Sequence, residues 1–389
     1  MFKPNILNKR FLRLGAVLLT GPICLALSAA SQAEPQSPPN GGYGAQKSAV
    51  RGYTQTSRLK AVKQQTDAIV SRHPNMRIGY SIVHVPTGHS VSHLGDELFP
   101  LASVFKIPVM LEFCRQMQDG VIPLNLDHQL TVRKSDICIG SGKLKNAAPN
   151  SKITVDKAIN LMITVSDNTA TDMIINTIGG KSLRSCMESW GLTDNKIFMT
   201  NRQAWLISLG KGSLLPDANP EHIASAWKKL SYADQIALAE EVYRDYADIS
   251  VTQFQKMEDE SGLGYTFTQW RKCAETVDNM SSPNDFSQLL RKLWNREILE
   301  EEWSEYALSV LAAQKYNTRI PKYLPPGTKT YHKTGTICGV VNDSGIIISR
   351  RGEPVAVTVF VSDVGASDAD SDTAEQIIGK ISKIAWENF

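Results

Sequence analysis

The sequence lacks an excess of charge of either sign: 42 Lys and Arg stand against 39 Asp and Glu, with 7 His, for a formal net charge of +3. Nucleic-acid binding draws on a clustered basic excess, so no nucleic-acid partner is expected. Cysteine is scarce, six in 389 residues, with no CxxC and no Cys/His cluster. That excludes a disulfide-stapled scaffold and argues against a structural zinc site. Asp368-x-Asp370-x-Asp372 has the spacing of a calcium loop, but Thr373 stands where the loop needs Gly and Gly379 where it needs a distal Glu. It reads as a solvated loop before the last helix, and no metal or organic cofactor is expected. Internal repeats are absent, and no apolar run after residue 33 is long enough to span a bilayer. What remains, 42% apolar and 21% charged, is an ordinary globular mixture with room for a sizeable core.

Acid is missing altogether from residues 1–33, which carry Lys3, Lys9, Arg10 and Arg13. An apolar run, Leu14–Ala30, follows these cations, and Ser31-Gln32-Ala33 closes it with small residues where a signal peptidase reads. This order describes a secretory signal over residues 1–33, so the chain is expected to be secreted. Gly21-Pro22 interrupts the run and disfavours a retained membrane anchor. Cys24 follows Gly21-Pro22-Ile23, which lacks the small residue expected before a lipidated Cys. Cleavage after Ala33 removes four positive charges, taking the formal net charge from +3 to −1. It leaves Cys114, Cys138, Cys186, Cys273 and Cys338, an odd set in which at least one thiol stays free or pairs between chains.

Residues 34–58, rich in Pro, Gly, Ser and Gln, read as a flexible linker. Arg58–Ser71 has helical spacing, and Arg77–Val85 with His89–Leu94 forms a hairpin around Pro86-Thr87-Gly88. From Pro100 to Leu311 the pattern is mostly helical. Strands return at Thr328–Tyr331, Val340–Ser349 and Val355–Asp363, and a last helix is expected from Asp372, with Glu375 as its capping partner, to Trp386. The expected fold is therefore α/β in three layers. An antiparallel sheet built from both chain ends (59–98 and 318–389) is flanked by helices, with an all-α part over 99–317.

Three short motifs stand in order. In Ser103-Val104-Phe105-Lys106 the Ser and Lys share one helical face, so Lys106 can take the hydroxyl proton that makes Ser103 a nucleophile. Nearby cations and burial lower a lysine pKa, and the N–H groups of a helix start stabilise developing negative charge. Ser166-Asp167-Asn168 links two apolar helices, Val155–Thr164 and Thr169–Ile178. There Ser166 can relay a proton to a leaving nitrogen, Asn168 can bind a substrate amide, and Asp167 can hold the turn. In Lys333-Thr334-Gly335-Thr336 the side chains of Lys333 and Gly335 share a strand face. Lys333 offers charge to a substrate carboxylate, Gly335 lets substrate lie along the strand edge, and the Thr336 N–H can complete an oxyanion hole with that of Ser103. Read singly, each is also a capping turn or a strand with a surface lysine, and S-x-x-K arises by chance about once in a chain of this length. The joint order is what carries the signal.

These motifs and their flanks resemble the penicillin-recognising serine hydrolases, most closely class A β-lactamases and their penicillin-binding relatives. The likeness extends through Ala102–Pro108, Val165–Ala170, Arg319-Ile320-Pro321, His332–Thr336 and Val341–Ile346, and covers residues 59–209 and 280–389. It implies a β-lactamase/transpeptidase-like fold and an acyl-enzyme on Ser103 with Lys106 as base. Ser166 becomes the proton shuttle, Asn168 an amide contact, and Lys333 and Thr334 carboxylate binders. Arg319, fourteen residues before Lys333, falls where some class A enzymes place a carboxylate-binding Arg. The implied partner is a β-lactam or a peptidoglycan peptide.

The sequence departs from that pattern twice. Class A enzymes place a deacylating Glu on the loop after the second motif, but Met199–Ser208 contains no acid, and Ala204 takes the position of the Glu. Without a base the acyl-enzyme is expected to persist, since general-base help is often worth about 10²–10⁴-fold. The second departure is an insertion, Gly210–Asn279. It reads as a peripheral helical hairpin, with Ser231–Tyr246 as one helix. The alternative is a cover over the cleft that supplies a substitute acid such as Glu221. Three functions are compatible with these residues: a β-lactam hydrolase with slow deacylation, a penicillin-binding D,D-peptidase, and a non-catalytic sensor that keeps the pocket.

Overall fold

The computed structural model describes residues 44–261 and 264–389, with side chains from Ser57 onward. The expected signal, residues 1–33, lies outside the described residues. In chain order, α1 (Gly44–Val70) leads into β1 (Arg77–His84), β2 (Ser90–His93) and the short β3 (Phe99–Pro100). A 3₁₀ turn, Ala102–Phe105, runs into α2 (Lys106–Gln118), followed by β4 (Gln129–Thr131) and β5 (Lys152–Thr154). Next come α3 (Val155–Thr164), α4 (Asn168–Ile178), α5 (Gly180–Ser189), β6 (Asn195–Lys196) and α6 (Asn201–Ser208). The insertion supplies α7 (Pro220–Lys229), α8 (Tyr232–Asp245), α9 (Val251–Ser261) and α10 (Phe267–Thr276). The chain closes with β7 (Met280–Ser281), α11 (Pro283–Trp294), α12 (Glu301–Ala312), β8 (Thr330–Ile337), β9 (Val340–Ile348), β10 (Pro354–Ser362) and α13 (Asp368–Asn388).

The main sheet has the order β2-β1-β10-β9-β8, and every pair is antiparallel. The chain ends thus meet in one sheet, the three-layer α/β arrangement expected from the sequence. Period-two alternation sorts its side chains between two cores. Val355, Val357, Val359 and Val361 of β10 face α1 and α13, packing with Ile377, Ile378 and Ile381. Ala356 and Phe360, on the other face, join Phe286 and Leu290 of α11 and the buried stripe of α2. Helices cover both faces, which is why β10 is buried from Val355 to Ser362 and reads as a continuous apolar run.

Three expectations are corrected. The helix preceding β1 begins at Gly44, inside the expected linker, because Ala45–Arg51 is made mostly of helix formers. The last helix begins at Asp368, not Asp372: Ser367 and Asp370 form a reciprocal capping box, so the acidic stretch is a first helical turn that favours negative charge. The insertion is also more than a peripheral hairpin. Its four helices share a core in which Trp227, Leu238, Val242, Phe254 and Cys273 pack onto Met199, Leu206 and Ile207 of the α6 region. Among the described residues no helix is long and apolar enough to cross a membrane.

Candidate active site

Ser103 sits on a strained turn. Ala102, just before Ser103, has φ +47°, and Ser166 of the second motif has φ +58°. A non-glycine residue in this left-handed region costs about 1–3 kcal/mol and persists only where its surroundings hold it. At Ala102 the holding group is Asp278, which accepts the Ala102 N–H at 2.6 Å. The next residue continues the clamp: the Leu101 N–H donates to Asn279 O at 2.9 Å, and Asn279 Oδ1 accepts the N–H groups of Phe198 and Met199. Burial raises the Asp278 pKa to about 7, against the lowering effect of the backbone donors. Sequence reasoning passes over Asp278, whose partner lies 176 residues away.

Ser166 joins the first motif to the third. Lys106 Nζ donates to Ser166 O at 2.9 Å, Ser166 Oγ at 3.1 Å and Asn168 Oδ1 at 2.8 Å. Lys333 Nζ donates to the same Ser166 Oγ at 3.1 Å and to Thr334 O at 2.8 Å. With both lone pairs of Ser166 Oγ engaged by amines, its own proton is left to be donated elsewhere. Both lysines are fully buried. Burial is the main cause that brings Lys106 down to about 8, and burial together with the neighbouring Lys106 drives Lys333 well below its ordinary value. The Lys106 amine, its pKa lowered by burial, is therefore in contact with the Ser166 hydroxyl. Asp167 holds the turn as expected, accepting the N–H groups of Lys143 (2.7 Å), Leu144 (3.0 Å) and Ala170 (3.0 Å).

The third motif lies on β8, the outer strand of the sheet. A Cβ on Gly335 would lie 2.6 Å from Leu101 O and 3.1 Å from Ser103 N. Gly335 is thus needed because the Leu101–Ser103 turn presses against it, a different reason from the substrate access read from the sequence. Behind the strand, Asn342 Nδ2 donates to Pro100 O at 2.7 Å, tying β9 to the same turn. Arg319 is buried and committed to the protein. It donates to Gly335 O and Asn342 O at 2.7 Å, to Thr336 Oγ1 at 2.5 Å and to Glu375 at 3.2 Å. It reaches the site through Thr336, as a brace on the strand.

A cavity of about 170 Å³ opens beside Ser103. Ser103, Asn168 and Thr336 line it together with Ala204, Trp205 and Glu258. Glu221, named from the sequence as a substitute acid, is absent from this wall and accepts a hydrogen bond from Gln269 at 3.2 Å. The insertion's acids at the cavity are Glu258 of α9 and Asp278, the group that accepts the Ala102 N–H. Helix α6, which carries Ala204, is seated by Asp172: its carboxylate accepts the Asn201 and Arg202 N–H groups at 2.8 Å, and burial raises its pKa to about 7. The five described cysteines are all unpaired thiols, and Cys338 lies on the cavity wall.

The sequence profile of the β-lactamase enzyme family matches residues 61–389. The chain belongs to that family. It is 22% identical to β-lactamase VEB-1 of Pseudomonas aeruginosa over 327 residues, 81% of this chain and 86% of that one. It is 24% identical to the extended-spectrum β-lactamase PER-1 of Pseudomonas aeruginosa, over 75% of each chain. Among solved structures it superposes on the penicillin G acyl-enzyme of a mutant PBP-A with a TM-score of 0.59 and 25% identity, covering 84% of this chain and 96% of that one. The TLA-1 extended-spectrum β-lactamase, 18% identical with a TM-score of 0.60 over 85% of this chain and 98% of that one, shares the fold. In this β-lactamase-family chain the three motifs converge on one cleft, and serine β-lactamase-like hydrolysis is the activity the family supports.

Proposed function

We propose that this protein is an exported serine hydrolase that forms an acyl-enzyme on Ser103 with β-lactams and releases it slowly. Neutral Lys106 takes the Ser103 proton as Oγ attacks the lactam carbonyl. The N–H groups of Ser103 and Thr336 receive the oxyanion, with Arg319 steadying Thr336. The C–N bond then breaks, and the nitrogen takes the Ser166 proton, which Lys106 replaces. Lys333 and Thr334 hold the substrate carboxylate, and Asn168 contacts the side-chain amide. The observation that carries this reading is the single hydroxyl of Ser166 set between two buried amines at 3.1 Å each.

Slow release follows from the absence of acid across Met199–Ser208, with Ala204 on the cavity wall. The same absence favours a second reading, a penicillin-binding D,D-peptidase acting on peptidoglycan peptides, for which a lasting penicillin adduct is a side reaction. The basic and apolar residues 1–33 support a periplasmic location.

Intact-mass spectrometry after mixing with penicillin G tests the proposal. A lasting adduct, absent in Ser103→Ala, is expected. Rapid return to free mass with penicillin consumed would show efficient deacylation. No adduct and no consumption with any β-lactam would sink the acyl-enzyme reading.

A further inference from the structure

Hydrolysis of an ester on Ser103 needs a base for the incoming water, and Met199–Ser208 supplies none. The cavity beside Ser103 is lined by two carboxyl groups, Glu258 and Asp278, and by no Lys, Arg or His. Glu258 is buried on α9 and accepts the Gln255 amide at 2.6 Å. Asp278 instead touches the turn that carries Ser103, accepting the Ala102 N–H at 2.6 Å. Successive backbone nitrogens lie less than about 4 Å apart, so an Asp278 oxygen stands within about 6 Å of Ser103 N, where the oxyanion forms. Two hydrogen-bond lengths of about 2.8 Å span that distance, which leaves room for one water between the carboxylate and an acyl carbonyl.

Asp278 is held firmly and still has capacity to accept. The N–H groups of Ala102, Asn279 and Leu101 are aimed at its carboxylate. An ionised carboxylate offers about four lone-pair sites, so one is left for a water. The side chain is partly open and lies on the cavity wall. Its pKa of about 7 suits a base that works near neutral pH. The titratable groups around it are few. Glu258 and the Cys338 thiol share the cavity wall, and burial pushes that thiol up to about 12. On α10, Cys273 is turned to Ser208 O and Glu275 to the Asp363 N–H. Lys106 and Lys333 lie beyond Ser103, both held on Ser166 Oγ.

Resting on the acyl-enzyme reading, we infer that Asp278 is the general base that releases the acyl group, in place of the Glu that the class A pattern puts at Ala204. Asp278 takes a proton from water as the water oxygen bonds to the acyl carbon. The N–H groups of Ser103 and Thr336 receive the oxyanion. Collapse breaks the bond between the acyl carbon and Ser103 Oγ, and the proton held on Asp278 returns to Oγ. The products are a carboxylic acid and the free serine. A carboxylate shared with three backbone donors is a weaker base than an uncommitted one, in keeping with slow release.

Release is measured by intact mass on the penicillin G acyl-enzyme, freed of excess penicillin, between pH 5 and 9. In wild type the rate is expected to climb about tenfold per pH unit up to about pH 7 and then level. Asp278→Asn, which keeps an oxygen for the Ala102 N–H, is expected to release about 10²-fold more slowly at pH 7, with no rise between pH 5 and 7. Glu258→Gln is expected to keep the wild-type profile. A wild-type rate independent of pH overturns the inference without any variant. So does an Asp278→Asn protein that retains the rise, whatever its rate, because a merely structural part for Asp278 would slow release and leave the profile. Loss of the rise in Glu258→Gln would assign the base to Glu258 and overturn it too. An adduct released with no dependence on pH defeats this inference alone, whereas failure to form any adduct defeats the acyl-enzyme reading and this inference with it.

Discussion

Lys106 and Asp278 show how burial sets both the chemistry and the stability of the cleft. Lys106 titrates at about 8 because it is shut away from water. If its neutral amine is the base, the second-order acylation rate climbs about tenfold per pH unit up to pH 8 and then levels. Stopped-flow acylation by penicillin G between pH 6 and 9 measures this, and a flat profile below pH 8 would remove Lys106 as the base. Asp278 moves the other way, upward to about 7. An unfolded aspartate releases its proton near about pH 4, so between there and 7 the folded state holds a proton that the unfolded state has lost. Stability from this group is therefore full below that window, falls as pH rises through it, and stays lost above 7. Asp278→Asn keeps an oxygen for the Ala102 N–H and removes the ionisation. Differential scanning fluorimetry is expected to show a smaller fall in Tm between pH 5 and 8 for the variant. An unchanged slope would show that Asp278 does not ionise in that range.

At the scale of elements, the Leu101–Ser103 turn and β8 are set against each other with no room for a methyl group. Gly335→Ala would place its Cβ 2.6 Å from Leu101 O and 3.1 Å from Ser103 N. Backbone cannot yield as a side chain does, so Ser103 shifts. Overpacking of this kind costs about 1–3 kcal/mol of stability, and a displacement near 1 Å costs about 10²-fold in rate. The acylation rate with penicillin G and the Tm of the variant measure both. Wild-type acylation in Gly335→Ala would show that the two backbones are not in contact. Much of this framework is legible in the sequence, because local patterns specify it. The apolar spacing delimits Val155–Thr164 at its observed bounds, and Ser231 is recognisable as the cap of α8. Helix α9 escapes such a reading, since only Phe254 and Glu258 of its residues are buried and its apolar stripe is thin. The three motifs are readable as strings, while their contacts depend on the fold. Neither Asp278 nor Glu258 has a local signature: the first acts on a turn 176 residues away, and the second matters only because α9 reaches the cavity. Arg319 stands out by position, and its commitment to Gly335, Asn342 and Thr336 is a tertiary fact.

Across the whole molecule, the cleft lies between two bodies of unequal depth. The sheet side is sandwiched, with β1 buried from Ile78 to His84 and β10 from Val355 to Ser362. The insertion is covered on one side only: α9 buries two residues, and α10 buries Cys273 and Thr276. Segments with few buried contacts open locally at free energies well below that of global unfolding. Amides of α8, α9 and α10 are therefore expected to exchange with solvent faster than those of β1 and β10. The insertion nevertheless walls the cavity, through Glu258 on α9 and Trp270 on α10. A ligand held on Ser103 stabilises the closed arrangement of these helices relative to their open one, because it contacts only the former. Hydrogen–deuterium exchange before and after acylation by penicillin G checks both statements. Exchange is expected to slow in α9 and α10 while β1 and β10 stay unchanged. Acylation that leaves α9 and α10 as exchangeable as before would mean that the insertion does not feel the occupied cleft. Slowing there would show instead that the insertion, which sets this chain apart from the class A pattern, closes over the substrate as one wall of the site.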